Sequence, residues 1–246
     1  MSKIQNKTAL VTGANRGIGR AFVQELIKAG ATKVYATARN TDQLKDLVEE
    51  ADGKVIAVQL DVTNEDNINQ IAKDLTDVEL LINNAGIAGF TGLLAANDIS
   101  SARAEMETNY FGVLNMVRAF APTLKNNGGG AIVNLASVAS IVNFPVLGTY
   151  SASKAAVHSL TQGIRAELAA QNTQVTGVYP GPVDTDMAAD FPMDKTAPSA
   201  VVQAVFDGVE NGVEDVFPDP VALEMQAGLS ADPKAVEKQA GEMLPA

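Results

Sequence analysis

Short unbroken runs of apolar and β-branched residues, each followed by a longer amphipathic stretch, recur through most of this 246-residue chain. The runs are Lys7–Thr12, Lys33–Thr37, Lys54–Leu60, Val78–Ile82, Ala131–Ala136, Gln174–Tyr179 and a short one near Asp215–Phe217. Helical patterns at Arg16–Ala29, Thr41–Glu50, Asn64–Leu75, Ser101–Lys125, Ser151–Ala170 and Ala200–Asn211 separate them. A strand apolar on both faces must be buried on both, which requires a parallel sheet covered by helices on either side. The alternation therefore predicts a doubly wound, Rossmann-type α/β fold with a predominantly parallel seven-stranded sheet. Asn64 is placed to cap its helix, Pro122 interrupts the 101–125 stretch near its end, and Pro180-Gly181-Pro182 opens a loop reaching about Ser199. No shift in composition marks a boundary, so residues 1–246 are read as a single domain. Residues 221–246 form a tail of helical character whose place the pattern does not assign.

Several classes of function drop out. A net charge of −11 repels phosphate backbones and argues against a nucleic-acid partner. With no cysteine and a single histidine, His158, neither a disulfide framework nor a metal site is expected. The first residues carry no apolar signal region, and no apolar stretch approaches the ~20 residues of a membrane span. A soluble cytoplasmic protein is expected.

Between the first strand and its helix stands Thr12-Gly13-Ala14-Asn15-Arg16-Gly17-Ile18-Gly19. Glycine tolerates positive φ and lets backbone approach a pyrophosphate, while the helix behind it offers free N–H groups and a positive dipole end. Asn15 fits either a turn residue or a phosphate contact. An NAD-selective site of this kind carries an acidic residue at the end of the second strand. Here that strand reads Val34-Tyr35-Ala36-Thr37-Ala38-Arg39 and has no carboxylate. Arg39 lies where a 2′-phosphate would sit, and Arg16 projects from the glycine turn toward the same place. Two guanidiniums suit a dianion, so NADPH is the expected cofactor.

Tyr150 and Lys154 lie four residues apart at the start of a helix, on one face. A free phenol titrates near pH ~10, and a neighbouring ammonium favours its ionised form. Lysine is thus read as the tuning element and tyrosine as the general acid of a reduction. Ser137 ends the fifth strand, at the sheet edge where parallel sheets hold ligands, and its hydroxyl is placed to polarise a carbonyl oxygen. His158, one turn beyond Lys154, is read as structural.

Taken in this order, the chain resembles the short-chain dehydrogenase/reductase family to about residue 220. The resemblance rests on the 12–19 turn, Asp61 in Leu-Asp-Val-Thr, Asn83-Asn84-Ala85-Gly86, Asn109, Ser137, Tyr150, Lys154, and Pro180-Gly181 followed by Thr185. It implies that Gly13, Gly17 and Gly19 hold the pyrophosphate, with Asn15, Arg16 and Ile18 around them, and that Asp61 and Val62 hold the adenine. Asn84, Ala85 and Gly86 would brace the sheet under the nicotinamide ribose. Tyr150 would protonate the substrate oxygen, Ser137 orient it, and Lys154 bond the ribose. Asn109 would anchor a water relaying protons from Lys154. Val183 and Thr185 would hold the carboxamide, and Pro180 and Gly181 would lie beside them at the cofactor. The chain departs from the family at its end, where Phe217-Pro218-Asp219-Pro220 replaces a common Gly-Gly pair; homodimer and homotetramer both stay open.

The expected pocket walls are Val138–Leu147, the Ile87–Leu94 loop, and the loop after Pro180 with Met187, Phe191, Pro192 and Met193. They are mostly apolar, so the expected substrate is a neutral, apolar or aromatic ketone or aldehyde. Two alternatives are a 3-oxoacyl-carrier-protein reductase, which would need a basic docking patch, and a regulator that senses NADPH without turnover, which would have no use for a tuned phenol.

Overall fold

The computed structural model describes residues 2–244. Seven parallel strands form one sheet: β1 Thr8–Val11, β2 Lys33–Ala38, β3 Val55–Gln59, β4 Leu80–Asn83, β5 Gly130–Leu135, β6 Thr173–Val178 and β7 Asp215–Val216. Their spatial order is β3-β2-β1-β4-β5-β6-β7, so the winding reverses between β1 and β4. In such sheets the crevice at the reversal, outside the carboxyl ends of the strands, receives ligands. The doubly wound fold expected from the sequence is the fold observed.

Alternate residues of each strand feed two separate cores. Ala9, Val11, Val34, Ile82 and Val133 face α1 (Gly17–Lys28), α2 (Lys45–Glu50) and α7 (Pro198–Glu210). Leu10, Leu81, Ile132 and Val175 face α3 (Glu65–Asp74), α5 (Gly112–Asn126) and α6 (Gly148–Leu168). On the first side Phe22 and Phe206 bring α1 and α7 together, ring centroids 6.1 Å apart. Burying each such side chain stabilises the fold by roughly 1.5–3 kcal/mol. Asn64 caps α3 as expected, accepting the Asn67 N–H at 3.0 Å.

Three local features differ from the sequence reading. The 41–50 segment begins as a 3₁₀ turn, Thr41–Leu44, before α2. The long 101–125 stretch divides into α4 (Ser100–Glu105), a π-helical segment Met106–Phe111, and α5. Pro122 does not stop α5; it and Arg118 are exposed, so the carbonyl freed by the missing N–H faces water.

The tail also has a definite place. Its residues fold into α8 (Pro220–Ala231) and α9 (Pro233–Gly241), each opened by an aspartate cap and a proline. Met225, Leu229, Val236 and Ala240 cover Val142 and Phe144, in the segment following β5. Residues 245 and 246 lie outside the described part of the chain. Among the described residues, no helix is long and apolar enough to cross a membrane.

Candidate active site

The residues singled out from the sequence collect along one edge of the sheet, because each follows the carboxyl end of a strand. Thr12 follows β1, Arg39 β2, Asp61 β3, Asn84 β4, Ser137 β5 and Pro180 β6. Parallel pairing points all these exits the same way.

The glycine turn is tightly specified. Gly13 and Gly17 hold φ of +65° and +54°, which side chains with a Cβ rarely adopt. A methyl group on Gly19 would run into the Gly13 carbonyl oxygen and Asn84 Nδ2. Asn84 Nδ2 donates to the carbonyls of Thr12 (2.9 Å) and Gly13 (3.1 Å). Thr12 Oγ1 in turn accepts the N–H groups of Asn84 (2.9 Å) and Ala85 (3.0 Å), so β1 and β4 brace one another across the reversal point. Nothing in the sequence marks Thr12 for this bracing role. No side chain caps the start of α1, and its first turn contains no acidic residue. This is a cradle of backbone into which an anionic phosphate fits.

Around the cradle the structure separates residues that the sequence grouped. Arg39 is exposed just past β2, and its charge helps hold Asp61 below the usual carboxylate range, after the hydrogen bonds from Thr63. Arg16 does not turn to that place as expected: its Nη1 lies 3.3 Å from Asp186 Oδ2, on the loop after β6. An exposed pair of this kind contributes only ~0–1 kcal/mol. Asn15 donates to Gln43 Oε1 at 3.0 Å, and Ile18 packs against the core that α1 shares with α7. Val62 is buried where a methyl on Gly112 would meet its Cγ2 at 3.0 Å.

At the other end of the crevice, Tyr150 and Lys154 share a face of α6, with Lys154 Nζ 5.7 Å from the Tyr150 ring centroid. Lys154 is buried and donates to the Leu135 carbonyl at 2.7 Å. Ser137 accepts the Ala139 N–H at 3.1 Å and donates to the Pro180 carbonyl at 3.4 Å, tying the exits of β5 and β6. Asn109 is buried within the π-helical segment, a kind of distortion often found at functional sites. Its side chain exchanges two bonds with the Ile87 backbone, at 2.9 Å each, and donates to Ser153 Oγ at 2.8 Å. A methyl on Gly86 would lie 3.2 Å from Asn109 Oδ1 and 3.5 Å from Lys154 Nζ, so both side chains reach the same small space.

The electrostatics differ from the expected tuning. Burial pushes the Tyr150 phenol up to about 12, the Ser137 hydroxyl pulls it down, and the charge of Glu105 adds to the rise. Burial alone pushes Lys154 down to about 8. The lysine does not bring the phenol toward neutrality here, because desolvation opposes the charged form of both groups at once.

The loop after Pro180 is anchored at several points. Gly181 N–H donates to Asp219 Oδ2 at 2.8 Å, Val183 pairs with Thr196 in a single parallel bridge, and Thr185 Oγ1 donates to the Val183 carbonyl at 3.3 Å. Thr185 stands over the glycine turn: a methyl on Gly17 would be 3.1 Å from its Cγ2. His158 is half-buried and hydrogen-bonds Tyr179 Oη through Nδ1 at 2.7 Å, away from the Tyr150 hydroxyl's neighbours.

Residues 7–196 match the short chain dehydrogenase family. The chain belongs to that family. It is an oxidoreductase of the NAD(P)-using short-chain dehydrogenases. A short-chain dehydrogenase from Burkholderia cenocepacia, solved with NADP, is 42% identical and superposes with a TM-score of 0.93 over 100% of both chains. A family member from Burkholderia phymatum, solved with NAD, is 26% identical with a TM-score of 0.84 over 96% of each chain. A ketoacyl reductase from a Nostoc species is 31% identical over 88% of this chain and 80% of its own length.

Proposed function

We propose that this short-chain dehydrogenase is an NADPH-dependent carbonyl reductase that acts reversibly on neutral, apolar or aromatic ketones and aldehydes. The observation that carries the reading is the meeting of Tyr150 and Lys154, one helical turn apart, with Ser137 at the end of β5. Gly13, Gly17 and Gly19 with the start of α1 would hold the pyrophosphate, and the backbone cradle between them supports this. Arg39 would hold a 2′-phosphate; its exposure and the absence of any carboxylate along β2 support NADPH over NADH. The NADP complex of the 42%-identical relative points the same way, while the NAD complex of a more distant one keeps the coenzyme choice a matter for experiment.

A reduced nicotinamide held by the cradle, Arg39 and the loop after β6 would supply the hydride equivalent of the reduction. Ser137 orients the carbonyl oxygen, and Tyr150, protonated throughout the neutral range, gives it a proton from Oη. Lys154, at about 8, is poised to return a proton to that site near neutrality. Asn109 holds the Ile87 backbone and the Ser153 hydroxyl in place. Apolar side chains around the cleft support the substrate class: Phe90 and Phe191 meet edge to face at 5.8 Å, and Phe144 lies against the α8–α9 pair. A homodimer or homotetramer is part of the same proposal, supported by exposed Phe111 and Leu94.

A second reading, reduction of a 3-oxoacyl thioester, is favoured by the ketoacyl reductase relative alone. Following NADPH and NADH absorbance with aryl ketones, aliphatic aldehydes and a 3-oxoacyl thioester tests both. Fastest turnover of an aryl ketone with NADPH is expected. Thioester turnover with no ketone turnover would transfer the assignment to the second reading. Tyr150→Phe is expected to lower kcat by ~10²–10⁴-fold while NADPH still binds; near-normal kcat would remove Tyr150 from the chemistry.

A further inference from the structure

The peptide unit that joins Pro180 to Gly181 is held at both ends. Its carbonyl accepts the Val138 N–H at 3.0 Å and the Ser137 hydroxyl at 3.4 Å. Its N–H, that of Gly181, donates to Asp219 Oδ2 at 2.8 Å. Asp219 stands between β7 and α8 and is only 3% exposed. Its other oxygen accepts the Ala222 N–H at 2.9 Å and so caps α8. Both oxygens of this carboxyl group are therefore taken up by backbone N–H groups of two different elements. The approach is close: a methyl on Gly181 would lie 2.8 Å from Asp219 Oδ1 and 2.9 Å from Val221 Cβ, so the first turn of α8 rests directly on the exit of β6. An N-cap needs one oxygen. The second, aimed at Gly181, has no part in the helix.

We propose that Asp219 is a positioning residue of this active site: it fixes the plane of the 180–181 peptide, and through that peptide's carbonyl the place of Ser137. The proposal rests on the reading of Ser137 as the group that orients the substrate's carbonyl oxygen. A peptide unit is planar, with its N–H and C=O pointing opposite ways. Holding the N–H end therefore sets the direction of the carbonyl end, and Asp219 acts on the far side as through a rigid bar. Glycine is the residue with the greatest backbone freedom, so this peptide needs an outside hold. On the site side, the Val138 bond fixes the backbone that carries Ser137. The 3.4 Å contact to the Ser137 hydroxyl is long for an O–H···O bond, so it aligns the hydroxyl and still yields it to a substrate oxygen. Asp219 lies beyond residues 7–196, the part matched to the family, in the Phe217–Pro220 stretch where the chain departs from it. The same tail covers Val142 and Phe144 through α8 and α9, so the end of the chain reaches the cleft from two directions.

The test is Asp219→Ser. Serine caps helices about as well as aspartate does, so its single oxygen keeps the Ala222 bond while Gly181 loses its partner. In a folded, NADPH-binding protein, kcat with the best-reduced carbonyl compound of the panel is expected to fall about 10-fold, the effect of one hydrogen bond. A helix cap alone would not involve Ser137, so the deciding readout is the same change made in a Ser137→Ala background. Ser137→Ala by itself should lower kcat by ~10²-fold. Adding Asp219→Ser should lower what remains by less than about 2-fold, because no hydroxyl is left to position. Asp219→Thr, which offers the same single oxygen as a cap, serves if the serine variant does not fold. An unchanged kcat in the folded variant, whatever its Tm, or an equal fall in both backgrounds, would overturn the proposal. A Ser137→Ala variant with near-normal kcat would instead overturn the reading of Ser137, and this proposal with it.

Discussion

Gly19→Ala places one methyl group where the structure leaves no room. The new Cβ would meet the Gly13 carbonyl oxygen and Asn84 Nδ2, and it would lie 2.9 Å from the Gly13 carbonyl carbon. Gly13 is backbone and cannot step aside as a flexible side chain does. Relief requires moving the turn, which strains the two Asn84 bonds to Thr12 and Gly13. Overpacking a tight interior costs ~1–3 kcal/mol, and each weakened hydrogen bond ~1 kcal/mol. About 3 kcal/mol lost overall lowers Tm by ~6–12 °C in a chain of this length. Displacing the cradle should also weaken NADPH binding at least ~10-fold, equivalent to ~1.4 kcal/mol. Gly163→Ala is the matched control: on an exposed turn of α6, nothing lies within 4 Å of its added methyl. That change should be neutral or raise stability by up to ~1 kcal/mol. Thermal unfolding and fluorescence titration with NADPH, on both variants and wild type, read the two effects. A Gly19→Ala protein with wild-type Tm and wild-type affinity would refute the idea that close backbone packing builds this cradle.

Other expectations concern charge. Arg39→Asp should shift the NADPH/NADH preference by ~100-fold or more toward NADH, since it removes a charge-assisted contact and adds repulsion; an unchanged ratio of Kd values would make Arg39 a bystander. Lys154 binds its proton less tightly folded (about 8) than unfolded (10.5), so between pH 8 and 10 the unfolded chain holds more protons and stability should rise with pH. The slope should approach ~1 kcal/mol per pH unit by denaturant unfolding without cofactor, and Lys154→Met should abolish it. Above pH 10 the trend should reverse, because folded Tyr150 keeps a proton that the unfolded chain releases. A wild-type slope identical to that of Lys154→Met would mean that the buried lysine is not depressed.

The strands were legible because a sheet covered on both faces leaves no polar alternation to blur them. The site was legible because parallel strands deliver their exits to one edge, so residues far apart in sequence, such as Asn84 and Ser137, needed only their strand ends identified. The π-helical segment left no trace: it changes which carbonyl each N–H meets, not the order of apolar side chains. Glu105 reads as one more acid beside Arg103 and Glu107 on a solvated face, and only the fold reveals that it points inward. Arg16 and Asp186 lie 170 residues apart, and nothing local announces their pairing. The place of α8 was hidden for a different reason. Its apolar residues surround the helix without forming a stripe, so no face identified itself as the one that would meet Met225's neighbours on α9.

The wide turn at Met106–Phe111 joins two helical halves whose relative rotation depends on how many residues lie between them. Removing one would swing α4 by about 100° against α5, since an α-helix turns by that angle per residue. Val113, Met116 and Phe120 would stay on the sheet, while Glu105 would leave its seat under Gly89 and Asn109 its hold on Ile87. Substitutions along this stretch are judged one side chain at a time, but its length is fixed. Insertions and deletions can accumulate in the loops of this enzyme; between residues 106 and 111 a single one takes the cleft apart.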